Sequence, residues 1–347
     1  MNGQSLFGYN SLKWDKRIEP VRYQEAKKSY VETLELVSAN AINKFFALAT
    51  AQSNYDIASF NYANADTLYR YAQGRYNIGT ITENEMLQLE LNRLTEETNR
   101  MNARIEMDNC MQELRSYLGI QEEREIRVRV SSRIPDFSIN LNEALALAYE
   151  NSPDIQTMKR RKLESESAVA RARANAGLKA DIYLRFGLTQ TADKLPEAYR
   201  NLLDQQYVSL SISLPILDWG RGKGQVRVAR SNRDLVYTQV EQSRTDFELN
   251  VRKLVKQFNL QTQRVRIAAR TDETAQRRNE VARKLYILGK STILDLNASI
   301  SEKDSARRNY VSALYNYWSL YYTLRSMTLY DFESNKLLTE DYNLLIE

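Results

Sequence analysis

The chain has 347 residues, with 49 lysines and arginines against 44 acids and a net charge of +5. It contains no histidine and a single cysteine, which excludes the commonest general base, the commonest metal ligand, an intrachain disulfide and a thiolate zinc site. Glycine at 11 and proline at 5 are both scarce, and that favours long uninterrupted helices.

The opening MNGQSLFGYNSLKW lacks an apolar signal core. From Pro20 to about Arg75, residues such as Leu34, Val37, Ile42, Phe45, Phe46 and Ala49 recur at helical spacing. This predicts one helix of about 55 residues, roughly 80 Å long at the rise of an α-helix. The chain turns near Gly79 and returns as a helix from about Thr82 to Leu118. Cys110 falls inside that return helix, where a buried or half-buried inert thiol is expected. The segment IRVRV (126–130) alternates apolar and basic residues and reads as strand-like. A short helix, LNEALALAYEN (141–151), follows, and Pro153 opens another running to about Leu178.

The period then changes. In 180–190, Ile182, Leu184, Phe186 and Leu188 share one face, while Tyr183, Arg185, Gly187 and Thr189 share the other. In 207–217, Val208, Leu210, Ile212 and Leu214 alternate with serines. Strands of about ten residues with one apolar and one hydrophilic face match transmembrane barrel strands, and also a half-buried sheet in a soluble domain.

After Gly224 a second long helix runs to about Leu288. Val240, Phe247 and Leu254 repeat at a heptad spacing, with Val251, Phe258 and Val265 as the complementary row. That is a coiled-coil seam with polar interruptions at Arg244 and Gln261. The helix turns at Gly289 and returns to about Leu329. This long helix measures about 100 Å, and so do residues 154–178 and 292–329 laid end to end. One long helix flanked by two stacked shorter ones suits a cylinder of helices.

No run of residues reaches the length of a transmembrane helix. The charges are interleaved, and the basic cluster KRRK (159–162) is short and isolated, so no nucleic-acid partner is expected. WGRGKGQV (219–226) lacks GxGxxG spacing and the lysine-serine pair of a Walker loop. It reads as a flexible strand-to-helix joint. The cluster Tyr310, Tyr315, Tyr317, Trp318, Tyr321 and Tyr322 stands at helical spacing and reads as packing. Nothing assembles a nucleophile and a base, and neither an enzyme nor a cofactor is expected.

The two turns share an order of residues. Tyr76 and Tyr286, Gly79 and Gly289, Thr82 and Thr292, and Glu85 and Asp295 are each 210 residues apart. The same offset relates Ala72 to Ala282 and Leu114–Ser116 to Leu324–Ser326. SLFGYN (5–10) resembles SLPILD (213–218) with slightly different spacing. These matches predict an internal strand–helix–turn–helix repeat, with an incomplete first copy at 1–120 and a second at 121–347. Partners for 141–190 would lie before Met1, so the chain is expected to lack at least about 70 residues by the repeat arithmetic, and any signal peptide with them. At each turn a bland reading accounts for the spacing. Gly79 and Gly289 end helices in the left-handed conformation, Thr82 and Thr292 are N-caps, and Glu85 and Asp295 complete capping boxes.

The two YxxGxxT turns, ALAYENSPDI (146–155) and ISLPILDWGR (212–221) together resemble the TolC-type outer-membrane efflux channels. The resemblance covers nearly all of the chain. It implies a mainly α fold with a small membrane β part: coiled-coil hairpins forming part of an α-barrel, and strands of a β-barrel shared by a homotrimer. It implies a passive exit duct of a tripartite efflux or type I secretion system in the Gram-negative outer membrane, its helices in the periplasm. The partners implied are outer-membrane lipid, a periplasmic adaptor and, through it, an inner-membrane transporter. By the same resemblance the tips (Gly79, Thr80, Thr82, Gly289, Lys290, Thr292) dock the adaptor, and Asp295, Tyr286 and Glu85 belong to the closed gate. Ser291 stands where a gate arginine is expected and Ala298 where a second aspartate is, so the pattern's carboxylate-to-arginine latch is not expected at that point. Independently, so few strands cannot close a barrel alone, since the smallest need about eight. The competing reading is a soluble or periplasmic coiled-coil scaffold or adaptor, which has no use for strands with a lipid-compatible face.

Overall fold

A computed structural model describes residues 3–122, 125–131, 134–189, 203–213 and 217–338. It opens on strand β1 (Gly3–Phe7), followed by helices α1 (Ser11–Asn77), α2 (Glu83–Tyr117), α3 (Leu141–Asn151) and α4 (Pro153–Asn175). Strands β2 (Lys179–Thr189) and β3 (Leu203–Ser213) come next, then helices α5 (Arg221–Ile287) and α6 (Ile293–Thr328). Two short strands, β4 (Tyr330–Asp331) and β5 (Lys336–Leu337), close the described chain. The fold is mainly α with a small β part. Helices α1 and α5 are each 67 residues long, and both their ends are offset by 210.

Several boundaries differ from the sequence expectation, each for a local reason. Helix α1 starts at Ser11 because the Asn10 side chain accepts from the Lys13 N–H at 2.9 Å, an N-terminal cap. Pro20 therefore lies inside the helix rather than opening it, and leaves one carbonyl a turn earlier without its helical donor. Helix α5 starts at Arg221, before Gly224, because the Asp218 carboxylate accepts from Gly220 N–H at 2.9 Å and Gly222 N–H at 2.8 Å. Those donors hold the Asp218 carboxyl below its usual range. The joint is thus tied down rather than flexible, and the N–H groups of Gly220, Arg221, Gly222 and Gly224 are already bonded within it.

Two compact units form, Met1–Tyr30 with Tyr149–Asn250 and Val31–Ala148 with Val251–Glu347. The first unit carries a sheet of order β1-β2-β3, antiparallel throughout. β2 and β3 pair without a slip from Lys179↔Ser213 to Thr189↔Leu203. Among the described residues β3 spans Leu203–Ser213, so it starts four residues before the expected 207. Its first residues, LDQQ, do not alternate apolar with polar, so pattern alone misses them, yet each pairs with β2. Leu217 lies outside the strand, and Gln190 and residues 214–216 fall outside the described residues. The register stacks Ile182 on Leu210 and Leu184 on Val208 along one face, and Tyr183 on Ser209 and Arg185 on Tyr207 along the other.

In the same unit α4 bonds to the N-terminal parts of α1 and of α5. Arg160 forks onto Glu25 of α1 at 2.6 and 2.9 Å, and Thr157 donates to the same carboxylate at 2.8 Å. The Arg160 bonds hold the Glu25 carboxyl below its usual range. Arg161 reaches Gln239 at 3.0 Å and Lys162 reaches Glu241 at 2.7 Å. The KRRK cluster is therefore engaged between helices.

The second unit holds the two helical hairpins. Leu48, Ala51, Met107 and Leu114 form a buried cluster between α1 and α2, with Tyr55, Cys110 and Val128 against it. Burial raises the Cys110 thiol pKa, consistent with an inert thiol. IRVRV is not a strand. Its backbone is held by the Gln52 side chain, which donates to Ile126 O at 3.0 Å and accepts from Val128 N–H at 3.2 Å. Asn259 grips Ile139 N–H and C=O in the same way, both at 2.9 Å. Side-chain amides thus stand in for a neighbouring strand. Phe258, Tyr317 and Tyr321 are buried together, with ring centroids 5.1 and 6.0 Å from Phe258, and the expected tyrosine packing is present.

The heptad row continues as Val251, Phe258, Val265, Asp272 and Asn279, all buried, whereas Leu254 is half-buried. Its lower half is polar but partnered. Asp272 pairs with Arg307 at 3.1 Å and Asn279 donates to Ser299 at 3.0 Å. Gln261 donates to Ala313 O at 2.9 Å. A slip of α5 against α6 would break all of these at once, which fixes the register.

Candidate functional site

Both hairpin tips lie in the second unit. α1 ends as Gly79 takes φ 72°, with Gly79 N–H on Tyr76 O at 2.8 Å and Thr80 N–H on Arg75 O at 2.9 Å. α5 ends identically: Gly289 has φ 73°, Gly289 N–H meets Tyr286 O and Lys290 N–H meets Leu285 O, both at 2.9 Å. Each is a Schellman cap, which satisfies the last carbonyls and demands the left-handed glycine. The return helices open on matching capping boxes. Glu85 N–H donates to Thr82 Oγ1 at 3.3 Å and Thr82 N–H to Glu85 Oε2 at 3.1 Å. Asp295 N–H donates to Thr292 Oγ1 at 3.2 Å and Thr292 N–H to Asp295 Oδ2 at 3.3 Å.

The tips differ in how the carboxylate is used. Asp295 Oδ2 also accepts from the Thr292 hydroxyl at 2.7 Å and the Ser291 hydroxyl at 3.3 Å. The Thr292 bonds, then Ser291, hold the Asp295 carboxyl below its usual range while it stays exposed. Ser291, at the position of the expected arginine, thus serves the carboxylate as a neutral donor.

Tyr286 is half-buried, and burial pushes its phenol up against the pull of nearby Arg75. The Glu85 charge pushes in the same direction as burial. Asp295 instead feels Arg278. Tyr286 lines a cavity of about 190 Å³ with Leu68, Tyr71, Arg283 and Ile300. Its repeat partner Tyr76 is exposed, so the paired tyrosines do different things.

Sequence reasoning missed the apolar residues at the tips. Ile78 is 74% exposed and Leu288 66% exposed, each immediately before its glycine and again 210 apart. Both side chains are apolar and exposed at the same place on the two turns. Their offset was the available signal. Gly79, Thr80, Thr82, Gly289, Lys290 and Thr292 surround them, all exposed. Among the described residues no helix is long and apolar enough to cross a membrane.

Residues 144–328, more than half of the chain, match the outer membrane efflux protein family. The chain belongs to that family. Outer membrane protein TolC of Escherichia coli (strain K12) is 21% identical over 311 residues, covering 86% of this chain and 61% of TolC, less than two thirds of that relative. The Campylobacter jejuni CmeC outer membrane channel superposes with a TM-score of 0.77 at 16% identity, covering 99% of this chain and 72% of CmeC. The outer membrane protein VceC from Vibrio cholerae gives 0.68 at 16% identity, over 91% of this chain and 76% of VceC. These likenesses show the fold of the efflux protein family, whose relatives named here are outer-membrane proteins and a channel.

Proposed function

We propose that the protein is a passive exit duct of the outer membrane, serving a tripartite efflux or type I secretion system. The supporting observation is the sheet. β2 and β3 carry an apolar face on which Leu184, Phe186, Leu188, Val208, Leu210 and Ile212 are exposed in the single chain and Ile182 is half-buried, and an opposite face of Tyr, Arg and Ser. A scaffold gains nothing from such a surface. A barrel completed by other copies covers its edges with neighbouring strands, turns the apolar face to lipid and leaves the hydrophilic face to a wet lumen. Three copies are inferred, with the helices in the periplasm.

In this reading 1–120 and 121–347 are two repeats of one strand-and-hairpin element. The tips, with Gly79, Thr80, Thr82, Gly289, Lys290 and Thr292 around Ile78 and Leu288, receive a periplasmic adaptor that leads to an inner-membrane transporter. Asp295 supplies one carboxylate per copy to a ring that favours cations at the constriction, and Tyr286 with Glu85 helps to hold the entrance shut. No catalytic step is involved. The test is fractionation of the native cell followed by planar-bilayer recording. Extraction from the outer membrane only by detergent, together with ion-conducting pores, is expected. Recovery as a detergent-free periplasmic protein without conductance overturns the reading.

A further inference from the structure

The joint between β3 and α5 puts a tryptophan where folding gains nothing from it. Trp219 is 92% exposed. Its backbone stands at φ 52°, a left-handed conformation that bulky L residues rarely adopt. The surroundings enforce it. Asp218 takes the Gly220 and Gly222 N–H groups, and Arg221 N–H donates to Asp218 O at 2.9 Å. A Cβ on Gly222 would stand 2.9 Å from Ala176 Cβ, so the turn is also wedged against the end of α4. A strained backbone held this firmly around an outward side chain asks for a function.

The joint itself does not require an outward ring. Tyr9 lies 210 residues earlier, before α1. Its hydroxyl bonds Ser167 at 2.6 Å and its ring lies 4.6 Å from the Arg171 guanidinium, so it is spent on α4. Trp219 has no such use.

Its position supplies the function. The register sets Phe7 against Ala180 and Lys179 against Ser213, so all three strand-to-helix joints leave the same end of the sheet. Passing from sheet to helices, the surface runs in a fixed order. First comes the apolar face of Leu184, Val208, Leu210 and Ile212, then exposed Leu178, Leu217 and Trp219, then the exposed cations Arg221, Lys223 and Arg227. Hydrocarbon, interface and headgroup phosphate call for those three chemistries in that order.

We propose that Trp219 is an interfacial anchor, seated in the headgroup zone of the phospholipid leaflet facing the periplasm, where it fixes the depth of the sheet. This rests on the reading of the sheet as part of a lipid-embedded barrel. The clamped turn supplies rigidity, so the indole acts as a stop rather than a loose tether.

The test compares the intact protein with Trp219→Phe in phosphatidylcholine vesicles brominated either high on the acyl chain or near its end. The difference in emission isolates Trp219 without touching core residues. Phe186→Trp, on the apolar face of β2, reports in parallel whether the sheet has entered lipid. The Trp219 emission should be strongly quenched by shallow bromines and little by deep ones, with Phe186→Trp quenched more deeply. Quenching of Phe186→Trp without quenching of Trp219 overturns the anchor and leaves the duct reading standing. In that case a blue-shifted Trp219 emission would assign its cover to a neighbouring chain. No quenching at either position overturns both.

Discussion

Replacing Gly289 separates the cost of bending the tip from the cost of blocking it. At φ 73° any L residue pays about 1–2 kcal/mol for the left-handed conformation. An added Cβ meets nothing within 4 Å, so there is no clash to add. Gly289→Ala and Gly289→Trp therefore share one backbone penalty. That penalty raises the local opening equilibrium of the tip by about 5–30-fold. Hydrogen exchange at Lys290, whose amide is held by Leu285 O at 2.9 Å, reads the change directly. The two variants should lose protection equally and keep normal amounts of the assembled channel, because the penalty stays in an exposed turn. Export in the native cell should then part them, Ala near normal and Trp abolished, since only Trp obstructs the surface around Leu288. Equal export defects in both would assign the effect to strain, and normal export from Gly289→Trp would refute the tip as the docking surface.

Asp295→Asn keeps a hydrogen-bonding cap while removing the charge, so single-channel recordings should show a weaker cation preference with little change in channel yield. The Asp295 carboxyl titrates below its usual value in the fold, so its support for the tip is complete above about pH 4 and is lost as pH falls through the lowered value. Exchange protection at the Asp295 amide should follow that course, and Asp295→Asn should flatten it. Glu85→Gln combined with Tyr286→Phe should raise conductance, whereas unchanged conductance with a lower melting temperature would leave both as purely structural. Trp219→Gly should stabilise the protein in detergent by about 1 kcal/mol, the relief of the left-handed penalty less the added backbone entropy of glycine. A fall in denaturation midpoint would mean that the indole packs after all.

Helix existence was legible because scarce glycine and proline leave long stretches with nothing to stop them. Both tips were legible to the residue, since Gly79, Gly289, Thr82 and Thr292 carry local instructions that no tertiary contact overrides. Misses arose where a side chain took over backbone work. Asn10 and Asp218 start helices before Pro20 and Gly224, and Gln52 holds IRVRV where a strand partner was expected. The first residues of β3 were invisible because pairing, not alternation, makes them a strand. The second repeat also hides one cap. Gly119 ends α2 with φ 68°, and 210 residues later Leu329 adopts φ 47° and is buried, so burial replaces the glycine that pattern reading seeks. Of the candidate site, the caps were readable, but the burial of Tyr286 beside Arg75 depends on a neighbouring hairpin that no local motif encodes.

The central claim is that copies of this chain complete one another's sheet. The most direct measurement is the mass of the detergent-extracted particle from the outer membrane, taken by native mass spectrometry on the protein as the cell makes it. Three chains per particle is the predicted result. A single chain, stable and monodisperse without detergent, would contradict it.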